Sequence, residues 1–138
     1  MTVASDWNRK VVAEFRANDG RVGGHFEGAP VLLLHTTGRK TGTERVNPMM
    51  YLAQDGRTFV FASKSGAPSN PDWYKNLLAN PQVTVELGAR TFRATAVPVT
   101  GPERDEIYAE QARRYPGFAE YQTKTDRVIP VVELISGS

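Results

Sequence analysis

The chain contains no cysteine. Disulfides, thiolate nucleophiles and cysteine-based metal sites are therefore all excluded, which suits a reducing compartment. Histidine is almost as scarce. His25 and His35 are the only two; they form no metal-ligand pair at a useful spacing, and both are read as structural. No G-x-S-x-G elbow is present, so a Ser-His-Asp hydrolase has no nucleophile to build on. Long apolar runs are missing too. The longest aliphatic stretch, Val31-Leu32-Leu33-Leu34, is far too short to span a bilayer. Residues 1–7 lack a basic segment followed by an apolar one, so no signal peptide is expected. Nor does one sign of charge dominate: 17 Lys and Arg face 15 Asp and Glu, a net charge of +2. A nucleic-acid binder would carry a broader basic face. Here the cations gather at particular turns, which points to a discrete anionic ligand; the absence of cysteine makes a cytoplasmic protein the expectation.

What is present is an ordinary globular composition. Over 138 residues, 40% hydrophobic and 23% charged content predict one domain able to bury a core without staples. Residues 1–30 hold a helix and a glycine-rich segment, and residues 31–138 hold the rest. The helix is expected over 5–17, with Ser5 as N-cap and Trp7, Val11, Val12 and Phe15 at helical spacing. Residues 22–30 read equally as a connector or as a flap. Strands are expected at 31–37, 43–54, 58–63, 83–87, 91–99 and 128–135. Asp55-Gly56 and Gly88-Ala89 provide hairpin turns.

A second helix is expected after Asn70-Pro71-Asp72-Trp73, where Asn caps and Pro takes the first helical position. A third begins at Thr100-Gly101-Pro102-Glu103, which has the form of a capping box. A short aromatic-rich segment over 115–124 gives a fourth. Successive strands joined by hairpins, with no helix between the first three, predict an α+β fold: a barrel of about six mainly antiparallel strands flanked by three or four helices.

The stretch carrying chemistry is Thr37-Gly38-Arg39-Lys40-Thr41-Gly42-Thr43-Glu44-Arg45. It is no Walker loop, since that pattern needs Gly directly before Lys and a helix after it. It is a glycine-bounded turn between two strands, bearing two adjacent cations and a third on the outgoing strand. Arginine forks bind phosphate or carboxylate bidentately and lysine adds a point charge. Lys64, ending the third strand, is expected beside them. Taken alone, the motif reads more readily as a solvated turn.

Leu34-His35-Thr36-Thr37-Gly38-Arg39-Lys40-Thr41-Gly42 followed by Arg45-Val46-Asn47-Pro48 resembles the deazaflavin (F420)-dependent nitroreductase family, the F420H2-dependent reductases of actinobacteria. Ala62-Ser63-Lys64-Ser65-Gly66, Asn70-Pro71-Asp72-Trp73-Tyr74-Lys75-Asn76-Leu77 and Tyr121-Gln122-Thr123-Lys124-Thr125-Asp126-Arg127-Val128-Ile129-Pro130 match in the same order, so the resemblance covers nearly the whole chain. It implies a split β-barrel related to the flavin-mononucleotide-binding reductases. It also implies coenzyme F420, whose ring lies in a cleft while its phosphate and oligoglutamate tail runs over basic residues. By resemblance, Arg39, Lys40, Thr41, Arg45 and Lys64 hold the tail. Asn47 and Pro48 line the ring pocket, Phe61, Ala62 and Ser63 offer backbone and hydroxyl contacts, and Trp73 faces that region or belongs to the core.

Without cysteine or an evident metal cluster, difficult chemistry must sit on a cofactor. Tyr115, Phe118 and Tyr121 recur at helical spacing and are expected on one helix face. By resemblance they line the substrate side with Met50, and the hydroxyls of Tyr115 and Tyr121, together with Ser63, are the catalytic candidates. Phe118 and Met50 stand where the namesake nitroreductases carry other residues, which puts nitroimidazole activation in doubt. The implied reaction is hydride transfer from reduced F420 to a quinone, nitroaromatic or activated enone. A flavin mononucleotide enzyme on the same barrel and a non-catalytic F420 carrier are the alternatives. A homodimer is a further expectation, and membrane-surface association through the first helix is disfavoured because its apolar face is short.

Overall fold

The computed structural model describes residues 6–23 and 29–136. Ser5, His25 and residues 24–28 of the glycine-rich segment lie outside the described residues, so the flap and connector readings stay open. Among the described residues, the regular elements are α1 (Asp6–Ala17), β1 (Val31–Thr37), β2 (Glu44–Gln54), β3 (Arg57–Phe61), α2 (Asp72–Ala79), β4 (Gln82–Leu87), β5 (Arg90–Val99), α3 (Gly101–Arg114), α4 (Gly117–Thr123) and β6 (Val131–Ser136), with a 3-10 turn at Lys64–Gly66. All six strand pairings are antiparallel, and they close a barrel in the order β1-β2-β3-β6-β5-β4. The expected split-barrel architecture with four helices is the one observed.

Strand periodicity sorts the side chains into two faces. Leu32, Leu34, Val60, Val85 and Val132 fill the interior, and Leu77, Trp73 and Tyr74 of α2 plug one end of it. The alternate residues point outward beneath helices. Val31 and Leu33 of β1 meet Val11 and Phe15 of α1, so α1 packs on the barrel. Leu52, Phe59, Phe61 and Val131 meet Ile107 and Tyr108 of α3 and Phe118 of α4. The run Val31–Leu34 is buried throughout because β1 is covered on both faces, and each such side chain contributes on the order of 2 kcal/mol of hydrophobic stabilisation.

Local chemistry explains the turns. Asp55 and Gly56 both adopt positive φ, 55° and 75°, the geometry of a two-residue hairpin turn. Two of the three expected caps are corrected, Ser5 lying outside the described residues. Pro71, not Asn70, is the N-cap of α2, and no side chain bonds the helix end there; Asn70 Oδ1 instead accepts from Arg127 Nη1 at 2.8 Å. Thr100 is the N-cap of α3 but makes no side-chain cap bond, and Glu103 is drawn away to Arg57 Nη1 at 3.2 Å. In both cases an arginine offers a charge-assisted bond that outcompetes the local cap. The last strand is shorter than expected: residues 128–130 leave the barrel because Arg104 Nε and Nη2 donate to Ile129 O at 3.1 and 2.8 Å.

Candidate active site

The β1–β2 connection is a rigid turn. Gly38 N–H donates to Thr43 O and Gly42 N–H to Gly38 O, both at 2.8 Å, with Gly42 at φ +73°. Thr43 N–H donates to Thr41 Oγ1 at 3.3 Å, so the Thr41 hydroxyl braces the turn from inside. The turn leans on α2, the helix that plugs the barrel end. Arg39 donates to Asn76 Oδ1 from its backbone N–H (3.2 Å) and from Nη1 (2.8 Å), and its Nη2 stands 3.6 Å from Asp72 Oδ1.

Between turn and helix lies a pocket of about 280 Å³ lined by Gly38, Arg39, Lys40, Thr41, Arg45, Asp72 and Asn76. Arg45 pairs across β1 with Thr36. Its Nε is buried without a hydrogen-bond partner among the described residues. Three cations around one pocket suit a phosphate or carboxylate ligand, so these residues fit the anionic tail of the implied cofactor.

Lys64 does not line this pocket. It is exposed, adopts φ +48° and places Nζ 3.4 Å from Ser69 Oγ. The expected cluster of four cations is thus a group of three, with Lys64 on the separate turn that follows β3. That turn has its own anchor. Arg127 donates to Ala62 O (3.0 Å), Ser63 O (2.7 Å), Ala67 O (2.9 Å) and Asn70 Oδ1 (2.8 Å). Burial pushes its guanidinium down from the ordinary arginine value. Ala62 N–H donates to Pro130 O at 3.0 Å. The main-chain polar groups of Ala62 and the carbonyl of Ser63 are therefore already engaged within the fold.

The barrel is split along β2. Pairing with β3 reaches only Tyr51↔Val60, whereas β2 pairs β1 back to Glu44, so residues 44–50 carry no β3 partner on their other edge. Pro48 sits in this half, as proline in a strand prefers. The open edge starts beside the Arg45 pocket. Asn47 and Pro48 flank it from opposite faces: Asn47 shares the inward face with Arg45 and Met49, and Pro48 the outward face with Val46 and Met50.

Met50, Tyr115, Phe118 and Tyr121 come together in one outward cluster against α3 and α4. Phe118 is its hub, edge-on to Tyr121 at 5.3 Å and to Phe61 at 5.6 Å. Tyr115 caps the C-terminus of α3 and is not a residue of α4, so the three rings share a cluster rather than one helix face. Phe61 is 5% exposed and meets Phe118 edge-on, and Trp73 is partly buried against the interior core. Tyr108 donates to Phe118 O at 2.6 Å, and burial raises its hydroxyl to about 12, so it acts as a hydrogen-bond donor.

Sequence reasoning gives Asp72 and Asn76 no place in the pocket and Arg127 no anchoring role. Asp72 and Asn76 fall four apart on one helix, a spacing that places both on one face; that was the available signal. Nothing local marks Arg127.

A family model described as F420H(2)-dependent quinone reductase matches residues 7–135. An F420H(2)-dependent quinone reductase of Mycobacterium tuberculosis is 42% identical over 130 residues, spanning 88% of this chain and 85% of that one. A solved F420-H2 dependent reductase (FDR-A) is 42% identical with a TM-score of 0.70, covering 81% of this chain and 99% of its own. A further structure, described as a domain-swapped dimer, is 38% identical with a TM-score of 0.72, covering 91% of this chain and 92% of its own. A fad-binding protein of Mesorhizobium loti shares the fold at 12% identity and a TM-score of 0.54, covering 100% of this chain and 93% of its own. With a family match over nearly its whole length and a relative at 42% identity, the chain belongs to the F420H(2)-dependent quinone reductase family.

Proposed function

We propose that this protein reduces quinone-type acceptors with reduced F420, binding the cofactor tail at Arg39, Lys40, Thr41 and Arg45 and its ring along the open edge of β2. The observation that carries this reading is the convergence of Arg39, Lys40 and Arg45 on one pocket between the β1–β2 turn and α2. Asn47 and Pro48 flank the route from that pocket toward the Met50–Tyr115–Phe118–Tyr121 cluster, which supports placing the acceptor there. Ser63 and Lys64 stand on the clamped turn beyond β3, within the same reading.

Bound F420 in its reduced form supplies a hydride, two electrons and one hydrogen. The chain's residues do the rest. Tyr115, Phe118, Tyr121 and Met50 offer an apolar surface that a flat acceptor covers, displacing water. A quinone that takes a hydride still needs one proton to become a hydroquinone. Tyr115 or Tyr121 gives that proton to the acceptor oxygen, and both are partly exposed, so solvent restores it. Ser63 adds a hydroxyl at the ring side. Nitroaromatics and activated enones fit the same requirements, and the missing tyrosine hydroxyl at Phe118 favours quinones among them.

The test follows F420H2 oxidation with menadione while titrating oxidised F420 and flavin mononucleotide into separate samples. Turnover with micromolar F420 binding supports the reading; flavin binding in preference to F420 transfers it to a flavin enzyme; F420 binding without turnover leaves a carrier. We also propose a homodimer, supported by the relative described as a domain-swapped dimer and by the exposed Val97 and Ile135 on the outward face of β5 and β6. Light scattering at micromolar concentration checks it. None of the helices of the described residues is long and apolar enough to cross a membrane.

A further inference from the structure

Asp72 is the one carboxylate among the residues lining the cation pocket. It is also the first residue of α2, where the helix dipole favours an anion. Its partner Arg39 is fixed from the other side, because Asn76 holds both Nη1 and the backbone N–H. Arg39 therefore cannot swing away, and its Nη2 faces whatever anion is present. In this structure that anion is Asp72.

The contact is longer than the other arginine–carboxylate pairs among the described residues. Arg57 grips Glu133 with two bonds of 3.0 and 2.8 Å, and Arg16 grips Glu86 with two of 3.1 and 2.7 Å. Those are locked forks. Arg39 Nη2 stays 3.6 Å from Asp72 Oδ1, and the Asp72 side chain is 75% exposed. A carboxylate at that distance, mostly in water, neutralises charge without closing the site.

We propose that Asp72 is a resident competitor for the ligand anion: it sets how tightly the pocket holds the cofactor tail and how fast it lets go. The inference rests on the tail-binding reading given above. Three cations and one carboxylate leave the pocket a formal charge of +2, enough to attract a phosphate or carboxylate. The carboxylate is repelled by the arriving anion and re-covers Arg39 as the anion leaves. A cofactor used as a co-substrate must depart oxidised and be replaced reduced at every turnover. A pocket of +3 would hold it longer than turnover allows. Asp72 is thus a specificity and release determinant rather than a residue that touches the reacting atoms.

Asp72→Asn keeps the shape and removes the charge. Asp55→Asn, in the β2–β3 turn at the far end of β2, makes the same change in net charge away from the pocket. Oxidised F420 and inorganic pyrophosphate are each titrated into the wild type and both variants at 20 and 200 mM salt, and F420 release is followed by stopped-flow fluorescence. Asp72→Asn is expected to bind both probes about two- to fivefold more tightly at the lower salt, mainly through slower release, with a lower kcat for menadione and a slightly lower Tm from the lost helix-dipole contact. Asp55→Asn should match the wild type. Equal or weaker binding by Asp72→Asn, or an equal gain in Asp55→Asn, overturns the proposal. Failure of the wild type to bind F420 overturns the functional reading instead, while the pyrophosphate comparison still judges Asp72; if no variant binds either probe, both fall.

Discussion

Asn76 Oδ1 accepts two hydrogen bonds from Arg39, one from the backbone N–H and one from Nη1. Asn76 is 3% exposed, so a buried amide of the plugging helix holds the tip of the β1–β2 turn in place. Arg39 becomes a wall of the pocket instead of a free cation. Asn76→Ala removes the shared acceptor and should cost about 1–3 kcal/mol in urea unfolding, with weaker F420 binding because Arg39 and Lys40 lose their set positions. A stability loss with unaltered affinity would mean that the turn keeps its shape without α2.

Arg45 and Lys40 differ in how they are held, and their variants should differ accordingly. Arg45 lies partly inside with an unmatched Nε, so Arg45→Ala should raise the F420 Kd at least about tenfold with little change in Tm. Lys40 is exposed, and Lys40→Ala should weaken binding less and lose most of its effect above about 0.5 M salt. Lys64→Ala, outside the pocket, should have the smallest effect of the three. A loss at Lys64 equal to that at Arg45 would extend the tail site to the second turn.

The barrel was legible because alternation and turn chemistry are local signals. Val31-Leu32-Leu33-Leu34 announced a doubly covered strand, and Asp55-Gly56 a hairpin. The basic turn was legible as an anion site only together with the later blocks, since a short cationic motif is common on surfaces. What stayed hidden is long-range arginine pairing. Asn70 and Glu103 looked like helix caps from their neighbours alone, yet Arg127 and Arg57, 57 and 46 residues away, claim them. Order in the meander suggests Lys64 beside Arg39; in the fold Lys64 stands on the turn that Arg127 clamps and does not line the Arg39 pocket. Sequence order gives adjacency of strands; it does not say where a turn beyond the strand is pulled.

Gly66 is set against α4 so closely that a Cβ would stand 2.7 Å from Tyr121 O and 2.9 Å from Lys124 Cβ, and its φ of +80° already favours glycine. Gly66→Ala has to push the Ser63–Lys64 turn off α4. The expected outcome is a loss of about 2 kcal/mol or more together with impaired menadione turnover, because Tyr121 moves with its helix. Turnover at the wild-type rate in a folded variant would separate that turn from the acceptor site.

Gln111 is fully buried on α3, and both its amide atoms lack a partner among the described residues. Orphaned polar groups of this kind cost about 1–3 kcal/mol, and a leucine of similar volume leaves nothing to satisfy. Gln111→Leu should therefore raise the unfolding free energy by about 1 kcal/mol. The next turn of the helix carries Tyr115, so KM and kcat for menadione are measured beside Tm. A fall in stability would show that the amide is bonded in solution.

Acid should loosen α1 from the barrel. Glu86, on β4, is held below the ordinary carboxylate value of 4.5 first by its hydrogen bond from Arg16 of α1, then by His35; burial opposes both. His35 of β1 lies between Glu86 Oε2 at 2.5 Å and Glu44 Oε2 at 3.3 Å, which ties the same carboxylate to the neighbouring strand. A carboxyl whose folded value is depressed stabilises the fold above its unfolded value, and that contribution is lost as pH falls through the folded one. The window accordingly opens below about pH 4.5, the ordinary value, with nothing lost between there and neutrality. Arg16 is half exposed, so the contribution is about 1 kcal/mol or less after screening. Glu86→Gln should be less stable than the wild type at pH 7 by that amount, and the gap between the two should shrink as pH falls below 4.5 toward the depressed folded value of the carboxyl. A difference that persists undiminished at pH 3 would assign the effect to packing rather than charge.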